Sequence, residues 1–207
     1  MAARVVCISR ELGAEGETVG RLVADRLGLQ YVDEEVIARA AERGGVEEDQ
    51  LTDSEQRKSR VRRVVELLTD AGTATGVPGA EPASLRAARE DSHRALIRAV
   101  VEEVAEEGDA VIVAHAASMA LGPRDGVLRV LVTASPETRI GRVAAAEGDA
   151  DAATRVRQSD AARVEYFKRF YDIERELATH YDLVVNTDLF APEQAAEVIV
   201  HTAGVAA

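Results

Sequence analysis

The order of short apolar runs constrains the fold of this chain more than any other feature of its sequence. Ala110–Ala114 and Val127–Thr133 show no polar alternation, which is typical of parallel strands covered on both faces. Arg4–Ser9 is a β-branched run, and the shorter segments Gln30–Asp33 and Tyr181–Asn186 also indicate strands. Together the runs predict an α/β fold with a parallel five-stranded sheet.

Helical segments separate these runs. Apolar residues recur at helical spacing between Val19 and Leu27. Ser135 and Pro136 supply an N-cap and a proline at the first position of a later helix. Further helices are predicted at about 84–107, 152–171 and 192–200. Strands that alternate with helices indicate a doubly wound sheet, which binds its ligands beside the carboxyl ends of its strands.

Composition narrows the possible partners. The 207 residues suffice for one well-buried core, so a single domain is expected. A formal net charge of −12 argues against sequence-independent binding to nucleic acid or to an anionic membrane, since both need a basic surface.

The single cysteine, Cys7, excludes an internal disulfide, and its apolar neighbours favour a buried structural thiol. With no membrane-length apolar stretch and no signal peptide, a cytoplasmic protein is expected.

The turn after the first strand is a candidate anion site. It runs from Ser9 to Thr18 and contains Gly13 and Gly16. Glycines let backbone N–H groups turn inward around a phosphate, and the following helix adds its positive end. The lysine of the Walker pattern is missing, because Glu17 stands before the threonine. A tight turn into a helix, without any ligand, is the alternative interpretation.

Read together, four segments resemble the cytidylate kinase-like family of P-loop kinases. They are VCISRELGAEGETVGRLVADRLGLQYVDEEVI, LRVLVTASPETRIGRV, RQSDAARVEYFKRFY and YDLVVNTDLFAPEQAAEVI. The resemblance covers nearly the whole chain. It implies a three-layer P-loop kinase fold with helices on both faces of the sheet, as a single domain over residues 1–207. A helical acceptor-binding insert at about 34–82 and a lid helix at about 152–171 are implied as well.

The resemblance also implies ATP and Mg²⁺ as cofactors. The residues implied in the ATP phosphate loop are Ser9, Gly13, Ala14, Glu15, Gly16, Glu17 and Thr18, with Thr18 as the metal ligand. Arg157 and Arg163 of the lid helix would close over the phosphates. With Asp160 they stand at three-residue spacing and share one side of the helix, and a solvated helix face is the alternative interpretation. We hypothesise that these two arginines and Arg10 substitute for the missing lysine, because a guanidinium offers a bidentate fork to phosphate oxygens.

Four residues are candidates for binding the acceptor, namely Asp33, Arg60, His115 and Lys168. Asp33 follows the second strand, and an N-cap for the next helix is an equally good interpretation. His115 follows the third strand, where the backbone commonly satisfies a histidine. Arg60 belongs to a basic patch, Arg57–Arg63, which pairing with Glu47–Asp49 or with a partner subunit explains slightly better.

These observations favour a phosphotransferase that moves the γ-phosphoryl group of ATP to a nucleoside monophosphate or to another small acceptor. CMP and dCMP are the first candidates, because the family name points to them. Glu15 and Glu17 place carboxylates in the loop, and like charges repel a triphosphate. A nucleotide-binding regulatory protein without catalysis is therefore the alternative. A structural partner in a homo-oligomer is a third hypothesis.

Overall fold

The computed structural model describes residues 3–33, 37, 95, 97–114, 116–147 and 151–205. The chain divides into two compact units, which are Met1–Glu34 with Glu107–Ala207, and Glu35–Glu106. The described part of the second unit is mainly helical, and its residues Val100, Val101 and Val104 are buried. Nearly all of the predicted acceptor-binding insert at 34–82, including the basic patch, lies outside the described residues.

The first unit contains the five-stranded parallel sheet that the sequence predicts. Its strands are β1 (Val5–Arg10), β2 (Gln30–Asp33), β3 (Ala110–Val113), β4 (Val127–Thr133) and β5 (Leu183–Asn186). They lie side by side in the order β2-β3-β1-β4-β5, and each neighbouring pair is parallel. The central position of β1 is consistent with its apolar sequence, because a strand with neighbours on both sides is withdrawn from water.

The helices of this unit alternate with the strands, as predicted. They are α1 (Gly16–Leu27), α2 (Ala117–Leu121), α3 (Pro136–Glu147), α4 (Ala152–Tyr171) and α5 (Pro192–Val205). The predicted N-cap of α3 is present, since the backbone N–H of Thr138 donates to Ser135 Oγ at 3.4 Å. No helix in the described part of the chain combines the length and the hydropathy that a bilayer crossing requires.

Side chains of the sheet alternate between two helix-covered faces. Val6 and Ile8 belong to a buried cluster with Val19 of α1 and Ile199 of α5, so those two helices cover one face. On the opposite face, Ser9 is fully buried and its hydroxyl donates to Ser118 Oγ of α2 at 3.2 Å. Coverage on both faces confirms the layered α/β class.

One ion pair crosses the amino ends of β4 and β5. The guanidinium of Arg129 donates to both carboxylate oxygens of Asp182, at 2.6 and 3.1 Å, and the Arg129 backbone N–H donates at 2.9 Å. Burial by itself would raise the pKa of Asp182, but the hydrogen bonds and charge of Arg129 lower it below its ordinary value. The pair fixes the start of the edge strand β5.

The buried thiol of Cys7 generates a prediction about alkaline stability. Burial raises its pKa from 9.0 to about 12. Between these values the unfolded chain loses the thiol proton while the folded protein keeps it, so the free energy of unfolding falls as pH rises. This thiol contributes a slope of up to ~1.4 kcal/mol per pH unit. Urea unfolding from pH 8 to 10.5 should therefore show a shallower fall for Cys7→Ala than for the wild type. Equal slopes for the two proteins would contradict a buried, protonated Cys7 thiol.

Candidate functional site

The chain between β1 and α1 forms a tight turn that two glycines make possible. Gly13 has a φ of +81°, and a Cβ added there would lie 2.6 Å from the Arg139 carbonyl oxygen. Gly16 begins α1 against β1, and its added Cβ would lie 2.4 Å from Arg10 Cβ. Distances this short are not tolerated, so only glycine allows the turn, from Glu11 to Glu15, to pack this closely.

The amino end of α1 faces this turn without a side-chain cap. Glu15 is the N-cap residue, and its side chain makes no capping hydrogen bond. Its backbone is left-handed, with φ 63°, which is uncommon for any residue other than glycine. Because the first N–H groups of a helix lack intrahelical acceptors and carry the positive end of its dipole, an uncapped amino end attracts anions. The turn and the helix start together offer a site for a phosphate.

Two arginines next to the turn lie beside glutamates of the turn or of the first turn of α1. The guanidinium of Arg10 lies 2.6 Å from a Glu17 carboxylate oxygen. Arg142 of α3 lies 3.6 Å from Glu15, beyond hydrogen-bond distance. Arg142 also donates to the Gly13 carbonyl at 3.3 Å. The turn therefore has two cations at its edge, each beside an exposed or half-buried carboxylate.

Arg142 is held in place by the end of β5. It donates to the hydroxyl and to the carbonyl oxygen of Thr187, at 3.0 and 2.6 Å. The fully buried Thr187 hydroxyl donates in turn to the Ala14 carbonyl at 3.1 Å. These contacts connect α3, β5 and the turn, so the position of the turn depends on residues far away in sequence.

A third arginine, Arg139 of α3, connects the turn to helix α4. Its buried guanidinium donates to both carboxylate oxygens of Asp160 at 2.8 Å and to the Leu12 carbonyl at 3.4 Å. Glu11 lies 3.5 Å from the same guanidinium. The hydrogen bonds to Asp160 raise the pKa of Arg139, which keeps it charged despite its burial.

A fourth arginine, Arg163 of α4, is buried beneath the end of β1. It donates to the two carboxylate oxygens of Glu176, at 2.6 and 2.7 Å, and to the Arg10 carbonyl at 3.0 Å. The Tyr181 hydroxyl also donates to Glu176. Burial alone would lower the pKa of Arg163, yet Glu176 raises it. Burial and then Glu176 raise the pKa of Tyr181, so the cluster holds a charged arginine beside a neutral tyrosine.

The predicted loop residues lie together in the structure, whereas the other predicted site residues lie on different elements. Ser9 lies beneath the turn, buried against α2, whereas Thr18 is exposed at the start of α1. On α4, Arg157 is exposed and donates to Thr154 Oγ1 at 3.2 Å, and Lys168 is exposed near the helix end. Their binding roles, like those of Arg10 and Arg163, stay predictions.

The predicted acceptor residues are only partly described. Asp33 lies at the carboxyl end of β2, where Arg21 approaches its carboxylate at 3.6 Å. The cap interpretation of Asp33 involves the following residues, which lie outside the described part of the chain, as do Arg60 and His115. Their roles in acceptor binding stay predictions.

Sequence reasoning missed four residues that shape the site: Arg139, Arg142, Glu176 and Thr187. The first two stand three positions apart on one helix that follows a buried strand, so their shared face was visible in the sequence. Nothing local marks Glu176 or Thr187, since Arg163 lies 13 positions before Glu176 and Ala14 lies 173 positions before Thr187.

The oxygen atoms at the start of α1 decide whether Mg²⁺ fits the site. The described residues contain no cluster of three or more histidine, cysteine or acidic side chains that could hold a metal. Thr18 offers an exposed hydroxyl oxygen at the start of α1, next to the half-exposed Glu17 carboxylate. Mg²⁺ takes oxygen ligands and usually keeps several waters and substrate phosphates, so one protein hydroxyl suits a metal that arrives with a nucleotide.

Comparisons with known proteins agree with this geometry. The sequence model described as the Cytidylate kinase-like family matches residues 5–189. A cytidylate kinase of Archaeoglobus fulgidus is 25% identical over 199 residues, which cover 94% of this chain and 91% of that protein.

Two solved structures show the same fold. An uncharacterized protein of Eubacterium ventriosum has a TM-score of 0.66 at 15% identity, covering 97% of this chain and 98% of that one. A shikimate kinase of Bacteroides thetaiotaomicron has a TM-score of 0.51 at 18% identity, covering 95% and 96%. At these identities the likeness concerns the fold, and it confirms the predicted P-loop kinase architecture.

The close approach of Gly16 to β1 generates a stability prediction. Gly16→Ala adds a Cβ that must displace Arg10, at a cost of about 2 kcal/mol, which lowers the thermal midpoint by roughly 5 °C. Gly141→Ala is the matched control, because no atom lies within 4 Å of its added Cβ. Its midpoint should be unchanged or higher, since alanine favours a helix. Equal midpoints for the two variants would show that the turn tolerates a side chain.

The buried cluster around Arg163 generates a second prediction. Glu176→Gln leaves the guanidinium without its carboxylate and should lower the free energy of unfolding by about 3 kcal/mol. Tyr181→Phe removes one hydroxyl and should lower it by about 1 kcal/mol. Urea unfolding at pH 7 measures both. The free energy of unfolding should fall more in Glu176→Gln than in Tyr181→Phe. If it does not, the ion pair does not hold α4 against β1.

Proposed function

The chain belongs to the cytidylate kinase-like family, and we propose that it is an ATP-dependent phosphotransferase acting on a nucleoside monophosphate, with CMP or dCMP as the first candidate acceptor. The family and the kinase folds of its structural neighbours support a nucleotide or small-molecule kinase. The observation that carries the proposal is the turn between β1 and α1. It combines an uncapped helix start with two arginines, Arg10 and Arg142, in a chain of net charge −12.

In this proposal the turn holds the ATP phosphates. Backbone N–H groups at the start of α1 donate to phosphate oxygens, which the helix dipole also favours. Arg10 stands at the end of β1, where it provides the cation that the missing lysine would otherwise supply. A planar guanidinium can donate two hydrogen bonds to one phosphate and can follow charge that develops on the transferred group.

Phosphoryl transfer needs positioning and charge neutralisation more than covalent help from the protein. The γ-phosphoryl group leaves the ADP oxygen and forms a bond to an acceptor phosphate oxygen, so the acceptor needs no dedicated base. Arg139 and Arg163 contribute indirectly, since they fix the Leu12 and Arg10 carbonyls and hence the shape of the turn. Thr18 would hold Mg²⁺, which when bound neutralises phosphate charge.

Acceptor binding would take place on the β2 side of the turn. Asp33 is the described candidate there, and Arg60, His115 and Lys168 remain predicted contributors. A cytoplasmic location and a homo-oligomer remain predictions of the sequence.

A second candidate function is nucleotide binding without turnover. The observation in its favour is the pairing of Arg10 with Glu17 and the approach of Arg142 to Glu15. Each guanidinium already has an anion beside it. If ATP does not displace these carboxylates, the loop has no free cation for the transition state.

A coupled assay with Mg-ATP and CMP, dCMP, UMP or AMP tests the proposal. We expect turnover with at least one acceptor. Arg10→Ala should lower kcat/KM by roughly 100-fold, as removal of one transition-state donor does in other enzymes. Arg26→Ala is the matched control, since it removes the same charge from the other end of α1, where Arg26 contacts the Glu193 carbonyl.

The outcomes separate the two candidates. Thermal stabilisation by ATP without turnover would replace the kinase proposal by the binding one, because a ligand of the folded state stabilises by mass action. Equal losses of kcat/KM in Arg10→Ala and Arg26→Ala would show that Arg10 does not contact the phosphates.

A further inference from the structure

Four arginines contact the turn or the ends of the strands beside it, and each is paired with a carboxylate of this chain. The pairs are Arg10–Glu17, Arg139–Asp160, Arg142–Glu15 and Arg163–Glu176. The arrangement places an intramolecular anion next to every one of these cations. The pairs differ, however, in how easily they can separate.

Two of the pairs are structural. The side chains of Arg139 and Arg163 are 4% and 5% exposed, and each donates two hydrogen bonds to its carboxylate. Separating such a pair would leave a buried charge without compensation, which is strongly unfavourable. These arginines also donate to backbone carbonyls of the turn or of β1, so they are fixed parts of the architecture.

The other two pairs are less buried, since the side chains of Arg10 and Arg142 are 14% and 25% exposed. The side chains of Glu17 and Glu15 are 48% and 34% exposed, so either carboxylate can rotate into water. Arg142 lies 3.6 Å from Glu15, which is too long for a hydrogen bond. Arg142 would keep its contacts with Thr187 after Glu15 had left, so its position does not depend on the carboxylate.

We propose that Glu15 and Glu17 are affinity-determining residues that act as intramolecular competitors of phosphate. They lie beside Arg10 and Arg142, and a bound polyphosphate takes their place. This inference rests on the proposed function, since it concerns the same phosphate site. The exchange involves no bond formation or cleavage, because each carboxylate rotates into solvent and the guanidinium changes its anionic partner.

The geometry of Glu15 supports a competing role over a capping one. Its left-handed backbone places it at the start of α1, yet its side chain makes no capping hydrogen bond. Its carboxylate instead lies 3.6 Å from the Arg142 guanidinium. The residue therefore adds negative charge at the place where a phosphate would bind.

Isosteric neutralisation tests the inference. Glu15→Gln and Glu17→Gln keep the shape of the side chain and remove its charge, and Glu165→Gln on the exposed face of α4 is the control for net charge. Isothermal titration calorimetry with ATP and magnesium, and with inorganic tripolyphosphate, measures the dissociation constants. We expect about fivefold tighter binding for each of the first two variants and no change for Glu165→Gln, since one repelling charge is removed close to the ligand.

The possible results are distinguishable. Tighter binding in Glu15→Gln and Glu17→Gln alone supports the inference, even if the wild type binds too weakly to measure. Equal or weaker binding in these variants, with measurable wild-type binding, overturns the inference and leaves the proposed function standing. Equal tightening in all three variants also overturns it, since net charge would then be the cause. No binding by any of the four proteins removes the proposed function together with the inference.

Discussion

The ion pairs of two buried arginines are the interactions on which the rest of the site depends. Arg139 joins α3 to α4 through Asp160, and Arg163 joins α4 to the segment before β5 through Glu176. Both guanidinia also donate to carbonyls at or beside the turn that follows β1. Together with the contacts of Arg142 and Thr187, they hold the short turn in one shape.

The arginines beside the turn explain how a strongly acidic protein could bind an anion there. Four arginines, Arg10, Arg139, Arg142 and Arg163, lie beside the carboxyl ends of β1 and β4, where the start of α1 adds its dipole. Parallel topology brings those ends together, since all the strands run in one direction. Each of these arginines also has a carboxylate of this chain beside it, so an anion that binds here competes with the chain's own negative charge.

The same region shows why a helix predicted to be a lid can also be an anchored element. The sequence predicted α4 at about 152–171, and the structure has it at Ala152–Tyr171. Spacing alone suggested that Arg157 and Arg163 share one side with Asp160. In the structure Arg163 and Asp160 contact the body of the unit, whereas Arg157 is exposed. Two arginines that the spacing places on one side of a helix therefore have different surroundings, which periodicity cannot distinguish.

The sequence by itself determined the sheet, the helices and the place of the turn, because apolar runs, glycines and helix caps act locally. It also showed the missing lysine and the two glutamates of the loop. Only the tertiary structure decided which carboxylate accompanies which arginine, since most of these partners, such as Arg142 and Glu15, lie far apart in the sequence and meet only after the strands pair. Thr187 and Glu176 illustrate the difference, for their role comes from burial and contact, and neither property is present in a linear pattern.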